Sequence, residues 1–197
     1  MMRKLLSLPL IVAWGVLGLH GQSLGPGGTH MILDDFRSEV SLIGTAWEGF
    51  TDQVMGGRSE MSILRVPNPE GPYLSMRGKV SLERNGGFIQ VRLKLSETGK
   101  PVDLSSYQGI RLTVRGEGKG YYIFLRTAQT LFPWKFYKAA IPVSTDWSTV
   151  DLPWSAFGPG DYGRVNPLKV EALKSLAITA YGEEFDARID VKEVGLY

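Results

Sequence analysis

Any chemistry in this chain has to be built from carboxylates, because few other reactive groups are present. There is no cysteine, so thiol nucleophiles, disulfides and thiolate zinc sites are excluded. The only histidines are His20 and His30, and a serine triad would have to recruit His30 from the N-terminal end. Asp52, Glu83, Asp103, Asp151 and Asp161 are scattered through predicted strand ends and loops. Two of them could meet as the acid/base pair of glycoside hydrolysis, although scattered acids are commonly solvated or structural. Calcium is a second use for carboxylates. Asp34 and Asp35 end the first predicted strand, while Glu183, Glu184 and Asp186 precede the last. If the terminal strands pair, Asp34, Asp35 and Asp186 become calcium candidates. No other cofactor is expected. The run GEGKG, Gly116–Gly120, has the composition of a phosphate loop but precedes a strand pattern, so it reads as a turn.

Two stretches with paired glycines must position whatever these groups do. They are TDQVMGGRS, Thr51–Ser59, and RNGGF, Arg84–Phe88. Gly-Gly marks a sharp turn or a place where something approaches the backbone closely. Gly56, Gly57, Gly86 and Gly87 are therefore read either as two tight β-turns or as loops forming one edge of a binding surface, with Asp52, Ser59 and Asn85 as polar contacts. If Gly57 needs φ > 0, Gly57→Val should destabilise the fold by about 1–3 kcal/mol.

The intervening segments read as strands. FIQVRLKL, Phe88–Leu95, alternates strictly, with Ile89, Val91, Leu93 and Leu95 on one face and Gln90, Arg92 and Lys94 on the other. GIRLTVR, Gly109–Arg115, does the same, and YYIFLRT, Tyr121–Thr127, is expected to return as its hairpin partner across GEGKG. Asn85-Gly86 signals a further hairpin turn. Met31–Phe36, Met61–Val66, Tyr73–Leu82, Trp134–Ile141, Trp147–Leu152, Ser175–Tyr181 and Ala187–Tyr197 complete about ten strands. Leu168–Lys174 is given one or two helical turns at most, and nothing repeats at solenoid spacing. Many short strands without long helices predict an all-β sandwich or jelly roll of two antiparallel sheets. On its outward faces, Arg92, Tyr122, Arg126 and Trp134 are candidate contacts, since aromatics beside arginines can stack on sugar rings or clamp a peptide. The other alternation puts Tyr122 and Phe124 inside.

The N-terminus reads as an export signal. Arg3 and Lys4 precede the uncharged run Leu5–Leu19, which is shorter than the roughly 20 residues of a spanning helix. Residues 1–21 are expected to be a cleaved signal, 22–30 a Gly/Pro linker and 31–197 one domain. The mature protein would be periplasmic or extracellular, with no stable membrane span. Loss of Arg3 and Lys4 reduces 22 basic residues to 20, equal to the 20 acidic ones. That balance does not suggest a nucleic-acid partner.

Four segments resemble one known family. DQVMGGRS at 52–59, RGKVSLERNGGFIQVR at 77–92, DLSSYQGIRLTVRGEGKGYYIFLRT at 103–127 and WSTVDLPWSAF at 147–157 are similar, in order, to signatures of the complex I intermediate-associated protein family. The resemblance spans roughly residues 31–197. It implies a galactose-binding-like jelly-roll β-sandwich, similar to some carbohydrate-binding modules. It picks out Asp52, Met55, Gly56, Gly57, Ser59, Asn85, Gly86, Gly87, Phe88, Arg92, Asp103, Tyr107, Gly109, Gly116 and Gly118 as family positions. Arg84 stands where the pattern has Asn, Glu117 where it has Asp, and Gln90 where it has a small residue. The best-known members are mitochondrial complex I assembly factors working in the matrix, whereas this chain carries an export signal. The resemblance thus implies a non-catalytic domain that binds a protein partner, as an assembly or chaperone-like factor. The alternative is an exported carbohydrate-binding module with a structural calcium.

Overall fold

The computed structural model describes residues 30–118, 120–132, 134–161 and 167–197. The predicted signal segment 1–21 and nearly all of the linker lie outside them. The described residues form twelve strands: β1 (Met31–Asp34), β2 (Trp47–Thr51), β3 (Glu60–Val66), β4 (Tyr73–Val80), β5 (Phe88–Lys94), β6 (Gly109–Glu117), β7 (Tyr121–Thr127), β8 (Tyr137–Ala140), β9 (Ser148–Pro153), β10 (Gly158–Pro159), β11 (Leu173–Tyr181) and β12 (Phe185–Leu196). Four short 3-10 turns connect them, one of which, Val170–Ala172, falls where one or two helical turns were expected. Among the described residues no helix is long and apolar enough to cross a membrane.

Every strand pairing is antiparallel. The first sheet runs β3-β4-β12-β6-β9, with β1 beside the far end of β12; the second runs β10-β8-β7-β11-β5-β2. Period-two alternation makes the sandwich. Ile89, Val91 and Leu93 from β5, Ile123 and Leu125 from β7, and Leu176 and Ile178 from β11 are buried against Met76, Leu112, Val114, Ile189 and Val191 of the other sheet. Burying so many aliphatic side chains, at about 1.5–3 kcal/mol each, is the main favourable term of the fold.

Two expected hairpins are absent. β6 pairs with β12 and β9, while β7 pairs with β8 and β11. The glycines of GEGKG thus carry the chain from one sheet to the other. Asn85-Gly86 likewise connects β4 of the first sheet to β5 of the second. Both turns are tight, but a tight turn fixes only a reversal of direction, and each flanking strand finds a better partner elsewhere. Both alternations of YYIFLRT are apolar because both faces of β7 are covered. Tyr121, Ile123 and Leu125 enter the main core, and Phe124 joins Phe136 and Ala177 in a small apolar cluster on the outer face, with Tyr122 and Tyr181 packed against it.

Candidate ligand-binding groove

The two glycine pairs meet at one side chain. Chain reversal after β2 forms a 3-10 turn, Asp52–Met55, closed by Gly56 in the left-handed region at φ 90°. This buries Asp52 completely, at 0% exposure. Its Oδ1 accepts from Ser59 N at 2.9 Å, and its Oδ2 accepts from Gly87 N at 2.6 Å and Phe88 N at 3.3 Å. Ser59 Oγ donates to the same Oδ2 and accepts from Ser81 N at 2.9 Å. Burial pushes the Asp52 carboxyl up, but the hydrogen bonds from Ser59, Gly87 and Phe88 outweigh it and hold the group below its ordinary range. The clamp joins the β2-to-β3 crossover to the β4-to-β5 crossover, so it ties the two sheets together at one corner.

This geometry corrects the expected roles. Asp52 and Ser59 are sealed inside and spend their polar atoms on each other and on backbone, so they do not face a ligand. The left-handed residue of the first pair is Gly56, not Gly57. Gly57 is required for space, because a Cβ there would overlap the Asp52 carboxylate. Gly86 is constrained similarly, with a Cβ 2.5 Å from Asp52 Oδ2 and 2.9 Å from Ser81 O, while Gly87 is left-handed at φ 130°. The calcium candidates do not converge. The terminal strands pair, but β1 sits at the far end of β12, with Asp34 opposite Val194 and Asp186 opposite Lys79. The eight residue steps from Asp186 to Val194 amount to about 27 Å of strand. Asp34 is buried and accepts from Phe36 N at 2.8 Å and Trp47 Nε1 at 2.7 Å, and Asp35 pairs with Arg37 at 3.0 Å. Among the described residues no three metal-ligating side chains cluster.

The clamp shapes one end of a groove of about 430 Å³ on the outer face of the second sheet. Central strand β11 provides its floor with two small residues, Ser175 and Ala177. In register, Ala177 lies between Arg92 of β5 and Phe124 of β7, and Ser175 lies between Lys94 and Arg126. Phe50, Phe88 and Gln90 form one wall; Phe124, Phe136 and Tyr181 form the other. Phe124 and Phe136 stack at 4.0 Å, and Tyr181 meets Phe124 edge-on at 5.2 Å. The Asp52–Met55 turn pushes Val54 and Met55 to the rim, 71% and 59% exposed, next to Asn85 and Gly86. At another edge Trp134 is 50% exposed and stacks on Phe132 at 5.1 Å.

Of the sequence-derived contacts, Asn85, Arg92, Arg126 and Trp134 line the groove. Tyr122 lies beside it, covered by Tyr181 at 6.2 Å and by Lys138 Nζ at 5.3 Å from its ring. Arg92 is held by Glu48 at 2.7 Å with its guanidinium 4.4 Å from the Phe50 ring. Arg126 donates to the carbonyls of Thr130 at 2.8 Å and Phe132 at 3.1 Å. Burial and the neighbouring charge of Arg92 both lower its pKa from the ordinary guanidinium value. Sequence reasoning missed Phe50, Val54, Ser175 and Ala177. The small residues at 175, 177 and 179, alternating with Leu176 and Ile178, were the available signal for the floor. None of the scattered carboxylates lines the groove. Asp151 pairs twice with Arg111 at 2.6 Å, Asp103 accepts from Ser105 N at 2.9 Å and Asp161 pairs with Lys138.

Two face-packed antiparallel sheets with a groove on one outer face define a jelly-roll β-sandwich, an architecture that solved carbohydrate-binding modules share. Over 87% of this chain it is similar to a family 11 carbohydrate-binding module from Clostridium thermocellum in complex with a β-1,3-1,4-mixed-linked tetrasaccharide (TM-score 0.66, 15% identity, 96% of that chain). The family 11 module of the cellulosomal cellulase Lic26A-Cel5E of that organism gives a TM-score of 0.68 at 14% identity over 87% of this chain and 95% of that one. The family 30 module of its cellulosomal cellulase Cel9D-Cel44B gives 0.57 at 14% over 85% and 96%. At these identities the likeness is one of fold. Comparison with curated proteins returns no match. The family model for Complex I intermediate-associated protein 30 (CIA30) matches residues 35–191. The chain belongs to that family.

Proposed function

We propose that this chain is a non-catalytic binding domain and that its groove takes an extended segment of a protein partner. The observation carrying this reading is the chemistry of the groove. Its walls are mostly phenylalanine and tyrosine rings, with Gln90 among them and Arg92 and Arg126 at one end, its floor is small, and its rim carries the exposed aliphatic side chains Val54 and Met55. Apolar rims and floors of this kind accept side chains from another polypeptide. Family membership supports an assembly or chaperone-like role, in which the partner is held rather than transformed. The Asp-, Glu- and His-free lining is consistent with binding and supplies no acid/base pair. With the signal removed, the domain would act in the periplasm or outside the cell.

The exposed Phe132–Trp134 stack favours a second reading, a carbohydrate ligand on the rim. One experiment separates the two. A benzophenone-bearing residue is introduced at position 55 on the groove rim, or at position 64 on the outer face of the first sheet, where Leu64 is exposed. Each protein is irradiated in membrane and envelope extract, and a glycan array is run on the same sample. A defined protein crosslinked from position 55 but not 64, with a silent array, is expected. A glycan signal lost on Trp134→Ala, with folding intact and no groove-specific crosslink, would overturn the protein reading in favour of the second.

A further inference from the structure

Beyond its apolar section the groove opens into a second cleft of about 330 Å³ that shares Arg92, Arg126 and Ser175 with it. Here the chemistry changes. The cleft adds Lys94 and Lys174, so four cationic side chains line it and no carboxylate does. The acid that pairs with them is Glu48, which holds Arg92 and Lys94 at 2.7 Å each. Four cations against that one carboxylate leave a net charge of three. Lys174 forms no ion pair among the described residues. Lys94 and Arg126 face each other across Ser175, two strand spacings or about 10 Å apart at the backbone. The serine leaves room above it for a group bridging the two. Arg92 Nε is buried without a hydrogen-bond partner, and the Arg92 and Arg126 charges oppose each other. An anion seated between the strands would relieve that repulsion.

We infer that the groove reads an extended peptide in which an apolar side chain is accompanied by an acidic one, the carboxylate lying in the cleft of Lys94, Arg126 and Lys174. This rests on the peptide-binding reading of the groove above and adds the partner's chemistry and the spacing of its two anchors. From Phe88 at the apolar end to Lys94 is six residues, about 20 Å of strand, and from the Ala177 row to Lys94 is two residues. The acidic residue therefore lies two to six positions from the apolar anchor.

A random heptapeptide display library, selected on the purified protein, tests this. The expected winners carry an aromatic or large aliphatic residue with Asp or Glu two to six positions away. Their binding should weaken about tenfold in the Lys94→Glu/Lys174→Glu double variant, and steepen in its salt dependence on the parent protein. Selection on the double variant should favour Lys or Arg instead. Ala177→Leu, which fills the floor, should remove binding of both peptide sets. Enrichment of apolar peptides sensitive to Ala177→Leu, but without acid preference and within twofold on the double variant, would overturn this inference and leave the groove reading intact. Failure to enrich any peptide sensitive to Ala177→Leu would overturn both.

Discussion

Replacing Asp52 by Asn should cost the fold several kcal/mol, although the side chains have nearly the same shape. The carboxylate takes one donor, Ser59 N, at Oδ1, and three donors, Ser59 Oγ, Gly87 N and Phe88 N, at Oδ2. An amide best places its oxygen where three donors converge. Its NH2 then confronts the Ser59 N–H, leaving a buried donor unpaired at about 1–3 kcal/mol. The retained bonds also change from charge-assisted to neutral, a loss of about 1 kcal/mol each, with the 3.3 Å bond from Phe88 contributing least. Relief of the buried charge offsets part of this, so the expected loss is about 3 kcal/mol, or about 6–12 °C in Tm for a chain of this size. Urea unfolding followed by tryptophan fluorescence measures it directly. The pH dependence gives an independent check. The folded Asp52 carboxyl titrates below its ordinary value of 3.8, so its stabilisation is present above that value and is lost as pH falls through the lower folded value. The difference between parent and Asn variant should therefore shrink as pH drops below about 4. A Tm loss under 2 °C, or a difference that persists unchanged into acid, would refute the clamp.

Four further outcomes follow from the same geometry. Gly57→Ala should destabilise by about 2 kcal/mol because its Cβ meets the Asp52 carboxylate, whereas Gly56→Ala, which is strained but open, should cost about 1 kcal/mol; thermal melts of the pair rank them. Arg84→Asn should raise Tm by about 1–3 °C, since Arg84 sits at φ 55° and Asn tolerates the left-handed region better. Trp134→Ala should leave urea stability within about 0.5 kcal/mol, its ring being half exposed, and should weaken groove binding in a titration by about tenfold. Asp34→Ala should lower stability by about 2–4 kcal/mol by unpairing Phe36 N and Trp47 Nε1, with no change on adding calcium, as scanning calorimetry would report.

Much of the fold was legible because alternation is a local property. Phe88–Leu95 shows which side chains enter the core without reference to any other strand, and Ile89, Val91 and Leu93 do so. Pairing is not local. The GEGKG turn looks the same in sequence whether its flanks pair or diverge, and here β6 and β7 diverge into different sheets. β2 was missed because five residues containing Gly49 carry no clean alternation. The site was legible in part for the same reason. Arg92 was placed outward by period two, while the doubly apolar alternation of β7 left the side of Arg126 open, and the contact between Asp52 and Gly87 spans 35 residues that no spacing rule connects. Paired glycines indicated that something comes close to the backbone; only the structure shows that it is the chain's own carboxylate.

The clamp and the groove divide the sequence into two kinds of position. Asp52, Gly57, Ser59, Gly86 and Gly87 hold two crossovers together and are mutually constrained, so a change at one strands the others. Ser175, Ala177, Phe124 and Arg126 project from the outer face of the same sheet, and because alternate residues point in opposite directions, altering them spares the main core between the sheets, though Phe124 and Ala177 pack in the small outer cluster with Phe136. Fold and ligand preference are therefore stored in different residues. The clamp still touches binding through geometry, since the turn it fixes presents Val54 and Met55, and its second loop presents Asn85 and Gly86. Loosening the clamp should blunt the rim before it unfolds the sheets. On this argument the family positions Asp52, Gly57, Ser59, Gly86 and Gly87 frame the groove, Phe88 and Arg92 of the same signature line it, and the identity of the ligand must be sought on β5, β7 and β11.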